Sequence, residues 1–222
     1  EPLGAGFAFD LVGVCAQDHG VPSPGVSHLE ARHRRFADGL RDMPRPGRLL
    51  YPAGAIPDGL GRLRTMAADA GGVGAGEVYV MDSGMAALLG ATTDPACRAC
   101  RHRVVLDVAT SHTVCGTFEG DDLCGFIEYH TRDVTVDRLD ELIVALADGR
   151  VRHEQILAEG GHGAWVRKAV GFERVEIVLA TGPRRDLLTA SQHPVVWGAP
   201  LGDNMMTGTA GLLEAIRTTR RG

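Results

Sequence analysis

Three apolar runs in this 222-residue chain each stop on an aspartate: "FDLVGVCAQDHG" at Asp18, "VYVMDSG" at Asp82 and "VVLDVATSHT" at Asp107. A fourth, "VEIVLATGPRR", breaks at Gly182 and Pro183 and is followed by Arg184 and Arg185. Short runs rich in Val, Leu and Ile and bounded by turn residues read as buried strands. Such strands need helices or further strands to cover their faces. The sequence predicts strands over Leu11–Ala16 and Val78–Met81, and a hairpin over Arg103–Tyr129 that turns near Glu119–Asp122.

The intervening segments carry helical spacing. Leu29, His33, Phe36 and Leu40 predict a helix over His28–Leu40, and a shorter one follows over Gly61–Ala70. Val136, Leu139, Leu142, Ile143 and Leu146 form an apolar stripe, with Asp133 or Thr135 as the start cap and Gly149 past the end. Further short helices are expected over Arg152–Ala158 and at the C-terminal end. The Pro- and Gly-rich residues 41–60 read as irregular chain, and "TTDPACRACRH" as an exposed excursion. Alternation of strands and helices, with a hairpin as well as crossovers, predicts an α/β fold with a mixed sheet flanked by helices.

In an open α/β sheet, ligands bind beyond the carboxyl ends of the strands. Asp, Gly and Ser are ordinary turn residues, so each polar strand end can be a structural turn. Four of them together point to a shared crevice. Asp107, followed by Ser111 and Thr113, suits Mg²⁺ or its water, with hydroxyl and N–H groups receiving phosphate oxygens; an Asp capping the hairpin is the plain alternative. Asp18 and His19 are further metal-ligand candidates. Glu128 and His130 lie two apart on a strand and share one face. They suit a metal pair, an acid/base pair or a hydrogen-bonded structural pair, and His112 is a further catalytic candidate or, like His130, a satisfied sheet histidine. "GGHG", Gly160, Gly161, His162 and Gly163, lets backbone approach an anion. Gly182 with Arg184 and Arg185 suits a phosphate or carboxylate, and Asp203 is a ligand or a helix cap.

Bulk properties narrow the partners. A net charge of −5 and 5% aromatic residues argue against nucleic-acid and anionic-membrane surfaces, while 30 glycines suit close approach to a small molecule. No apolar run is long enough for a membrane span. Five cysteines without secreted-scaffold spacing read as reduced thiols of a cytoplasmic protein. Cys97 and Cys100 read as a surface pair, and Cys115 and Cys124 as small core residues. The three-cysteine cluster of radical S-adenosylmethionine enzymes is not in the sequence.

"QDHG", "D-x-x-x-S-H-T", "E-Y-H-T", "GGHG", "TGPRR" and "GD-x-M-x-x-G" in this order resemble a domain family of unknown function labelled pyruvate formate-lyase activating enzyme. That family is similar to the actin-like ATPase and sugar kinase superfamily. The resemblance implies ribonuclease-H-like lobes: residues 1–95 the remainder of a first lobe with an irregular linker, 96–222 a second lobe. It also implies a chain lacking the start of the first lobe, since no D-x-G-x-G-T-like motif occurs. The implied ligands are ATP and magnesium, with phosphoryl transfer to a small molecule as the implied reaction. In that reading Asp107 positions Mg²⁺ or the nucleophile and the arginines offset charge. A metal-dependent hydrolase or lyase, with His19, His112, His130 and His162 around Glu128, is the alternative. A non-catalytic assembly or sensor subunit is a third. A phosphorylated or other small-molecule substrate, and a partner chain or a second copy, are the expected partners.

Overall fold

A computed structural model describes residues 9–221. In chain order the elements are β1 (Phe9–Cys15), α1 (His28–Gly39), β2 (Leu50–Pro52), α2 (Gly61–Gly71), β3 (Ala75–Met81), α3 (Ser83–Thr92), β4 (His102–Val108), β5 (His112–Glu119) and β6 (Asp122–His130). They continue with α4 (Val136–Ala147), α5 (His153–Ala158), β7 (Gly163–Val166), β8 (Ile177–Thr181), β9 (Val195–Trp197) and α6 (Thr207–Arg221). The fold is mixed α/β, as the alternation of elements predicts, with two sheets rather than one.

The first sheet has order β1-β3-β2, with β1 parallel and β2 antiparallel to β3. The second has order β7-β6-β5-β4-β8-β9. Within it β4, β5, β6 and β7 run as an antiparallel meander, and β8 and β9 add in parallel beyond β4. β2, β7 and β9 are short strands inside segments whose Gly and Pro content reads as loop. Pairing with an existing strand edge overrides their weak local signal.

One face of the second sheet packs under α4, through Val104, Leu106 and Ile127 against Leu139, Ile143 and Leu146. The other face shares a core with the first sheet and with α1, α3 and α6. That core joins Phe36, Leu40 and Met81 to Val105, Phe118, Leu123 and Leu212. The two halves are therefore knit through one apolar layer, and the C-terminal helix crosses back to cover the first half. Contact between α3 and α6 is close enough that a Cβ at Gly90 would lie 1.8 Å from the Thr207 carbonyl oxygen, and one at Gly211 1.8 Å from that of Ala86. Only glycine fits at this crossing.

Cys97 departs from the surface-loop expectation. It is fully buried in the shared core, and burial pushes its thiol up to about 12. Pro95 and Ala96 turn the segment inward after Asp94 caps the short helix there. Cys115 and Cys124 are buried as expected. No helix among the described residues is long and apolar enough to cross a membrane.

Candidate functional site

The register of the second sheet lines polar residues up on the face turned toward the first half. Thr181, Asp107, Val114, Glu128 and Gly163 form one row across β8, β4, β5, β6 and β7. One step beyond, His112 and His130 stand directly opposite each other. The period of two that put Glu128 and His130 on one face therefore also adds His112 and Asp107. Thr113 falls on the other face, where its hydroxyl lies 3.0 Å from that of Thr131.

His162 completes a triad. Its backbone N–H bonds the Glu128 carbonyl at 2.8 Å, which places the ring beside the end of β6. Its ring centroid lies 4.4 Å from that of His130 and 4.8 Å from that of His112. One ring nitrogen from each of His112, His130 and His162 lies within 4.8 Å of the others. The Nε2 atoms of His130 and His162 are 3.0 Å apart. Tetrahedral zinc with Zn–N bonds of ~2.0–2.1 Å spaces ligand nitrogens about 3.3 Å apart, so this pair, at hydrogen-bonding distance here, need only open by a few tenths of an ångström to hold such an ion.

Polar groups stand behind two of the three rings. Ser111 Oγ lies 3.1 Å from His112 Nδ1, which leaves Nε2 buried without a partner. Glu128 Oε1 lies 3.4 Å from His162 Nδ1. At that distance Nδ1 makes no hydrogen bond, and the carboxylate stands behind the ring while Nε2 faces His130. Metal-binding histidines are held in this way by a carboxylate or hydroxyl behind them. Burial, the first cause, holds the His112 imidazole below its usual range, and so favours the neutral, ligating form.

Glu128 is itself fixed. It is 3% exposed, and it accepts a hydrogen bond of 2.7 Å from Gln17 Nε2 at the end of β1 and a short one from Arg32. Arg32 also bonds both oxygens of Asp82, at 3.1 and 3.3 Å. Burial by itself would raise the Glu128 carboxyl. The contact with His162 and the Arg32 guanidinium overcome burial and bring it down to about 2. Asp82 holds the start of α3 as well, accepting from the N–H groups of Gly84 and Met85. Arg32 thus bridges the two sheets by a carboxylate from each. Its place one turn before Phe36 (i, i+4) puts it on the inner face of α1, which predicts burial but not the partner.

The other predicted residues are placed as follows. His19 sits at the edge of the triad, its ring centroid 5.8 Å from that of His162. Asp18 turns away, and its two oxygens accept from the N–H groups of Gly20 and Leu63, the latter in the first turn of α2. The N–H groups of Gly160, Gly161 and His162 are each bonded to carbonyls of Leu157, Ile156 and Glu128, and Gly163 pairs with Glu128 within the sheet, so this loop presents His162 rather than an anion cradle. Gly182, with φ 91°, packs so tightly that a Cβ would lie 2.7 Å from Asp107 Oδ1. Arg184 is exposed. Arg185 instead bonds the Gly198 carbonyl and lies over Trp197, so the two guanidiniums do not converge. Asp203 caps the turn before α6, accepting from Met205 N–H at 2.8 Å.

The Asp107 side chain is half-buried with no hydrogen-bond or ionic partner among the described residues, and burial raises its carboxyl from 3.8 to about 6. A folded-state value above the unfolded one means that ionisation opposes folding. The penalty is absent below pH ~4 and complete above pH ~6, and about two units correspond to as much as ~3 kcal/mol. Asp107→Asn should therefore be more stable than the parent at pH 7.5, with the difference vanishing near pH 4. Urea unfolding at the two pH values measures this; equal stability at pH 7.5 would contradict the buried, unpaired carboxylate.

Comparisons with known proteins add a family. No curated protein matches the chain. A crystal structure of the apo psk41 parM protein is similar at 12% sequence identity and a TM-score of 0.35, covering 65% of this chain. The match spans 52%, about half, of that protein's length. A family model described as "Putative pyruvate format-lyase activating enzyme (DUF1786)" matches residues 4–187, and the chain belongs to that family.

Proposed function

We propose that the protein binds one divalent transition metal, zinc or a close relative, through His112, His130 and His162, and uses it in metal-dependent hydrolysis or elimination on a small molecule. The observation that carries this reading is the chain of contacts from Arg32 and Gln17 to Glu128, from Glu128 to His162, and from His162 to His130. Three imidazoles with one coordination position left over is a catalytic donor set, because the free position takes water or substrate. Bound there, the metal would lower the pKa of a water and polarise a substrate oxygen.

The chain's own groups divide the remaining work. Glu128 is engaged by Arg32 and Gln17 and orients His162. Asp107 is the free carboxylate on the same face, its Cα about 7–8 Å from that of His112 as a diagonal cross-strand neighbour. Its raised pKa suits a general base that takes a proton near neutrality. His19, at the rim, is placed to meet substrate.

Metal analysis tests the reading directly. Purified protein loaded with zinc and dialysed should retain one equivalent, and a strong chelator should lower the melting temperature. Retention of none, with no shift on chelation, would sink it.

A magnesium nucleotide is the second reading. The meander β4-β5-β6 with β8 and β9 added in parallel supports a ribonuclease-H-like sheet, and Asp107 stands at its central strand end. That reading requires a thermal shift with ATP that depends on Mg²⁺ and is lost in Asp107→Asn.

A further inference from the structure

We infer that the opposite end of the second sheet carries a separate binding groove for an organic phosphate. A cavity of about 750 Å³ opens there between the loop before β2, the end of α3, the start of β4 and the last turns of α6. On β5, Phe118 in this groove is six residues from His112, or ~20 Å along the strand, so the groove is distinct from the triad.

Its charge is the reason for assigning an anion. Arg45, Arg48, Arg98 and Arg103 line it, against the carboxylates of Asp121 and Glu214. Arg45 lies near Asp121 and Asp122, at 3.9 and 3.3 Å, and those charges offset each other. Among the described residues, the side chains of Arg48 and Arg98 make neither a hydrogen bond nor an ion pair. Arg103 is 6% exposed, stacks over Phe118 and bonds the Gly120 carbonyl, yet its Nε has no partner. Arg48 and Arg98 are exposed, so both guanidiniums are free to meet an anion that enters the groove beside Arg103.

Size and lining define the rest of the ligand. The volume is far more than a bare phosphate fills and lies in the range of small-molecule sites. Guanidinium forks match phosphate oxygens two at a time. Met43, Leu89 and Phe118 offer apolar surface to an organic body, and Glu214 with Thr93 can accept or exchange hydrogen bonds with hydroxyl groups. A phosphate ester with a hydroxylated or ring-containing body satisfies both ends.

The test uses the intact chain in EDTA, so that no metal bridges a phosphate to the triad. ADP and inorganic pyrophosphate are titrated by thermal shift and calorimetry at constant ionic strength, with citrate as a carboxylate comparison. The expected result is a rise in melting temperature with ADP that exceeds the rise with citrate. The double variant R48A/R98A, which removes two exposed, unpaired side chains, should bind at least about tenfold more weakly, the loss expected for charged hydrogen bonds. H130A should bind as the parent does. Three results would overturn the assignment: no rise with ADP in the parent, an equal rise in R48A/R98A, or an equal rise with chloride of matched ionic strength. Zinc retention is measured on the same proteins, so failure of the groove and failure of the metal site are read separately.

Discussion

His130→Ala should abolish tight zinc binding while leaving the fold in place. Loss of a group that only orients a ligand typically costs 10–100-fold in metal affinity, so loss of a ligand should cost at least about 100-fold. His130 lies at the end of β6, half-exposed, with its ring among the other imidazoles rather than in the core. Its removal therefore opens no apolar cavity. Thr113→Ala provides the contrast, because Thr113 follows His112 in sequence but points to the opposite face, toward Thr131. Competition against a chromophoric chelator should give the parent's affinity for Thr113→Ala and a large loss for His130→Ala. Parent-like affinity in His130→Ala would remove the triad from consideration.

That contrast also shows what the sequence makes legible. Hydroxyls and imidazoles cluster in "ATSHT", and composition alone treats Ser111, His112 and Thr113 as one group. Strand parity splits them. Once β5 is recognised, His112 and Thr113 must diverge, and the hairpin fixes His112 opposite His130. The predicted hairpin, the α4 stripe, and Glu128 with His130 on one face all follow from period alone, and of the two start caps the sequence offers, Asp133 and Thr135, the helix uses Thr135. His162 does not, since its approach depends on a loop that folds back by a bond to the Glu128 carbonyl. The glycines of "GGHG" mark that fold-back, but they cannot say whether backbone or imidazole is being presented.

Asp18, Asp82 and Asp107 show the same limit. All three end apolar strands, yet one caps α2, one grips Arg32 and caps α3, and one stands without a partner. Each follows an apolar run, so the strand pattern does not tell them apart. Their roles diverge because different elements arrive over them, and those arrivals are long-range. Gln17 and Arg32 belong to the candidate site for this reason alone. Nothing in "QDHG" or in α1 announces that they will meet a strand more than ninety residues away.

Arg32→Met should be among the most destabilising single substitutions in the chain. The Arg32 side chain is 5% exposed and is shared by Asp82 and Glu128, which are 8% and 4% exposed. Burial would lower the guanidinium pKa, but the two carboxylates more than reverse this and keep it charged. Methionine retains the apolar stem over Phe36, so packing is largely kept while the charge is lost. Two buried carboxylates are then left without their cation. Breaking a buried pair in this way costs about 3–5 kcal/mol, much of it the desolvation of the charges left behind. Urea denaturation should show a midpoint lowered accordingly, with an unchanged slope if both states keep their exposed surface. Adding Asp82→Asn and Glu128→Gln to Arg32→Met should recover a large part of the loss, because neutral amides remove the orphaned charges. Recovery of stability without recovery of zinc binding would separate the two duties of this cluster. The ion triad holds the sheets together, and the carboxylate of Glu128 is required only where it faces His162. A triple variant no more stable than Arg32→Met would instead place the cost in packing around α1.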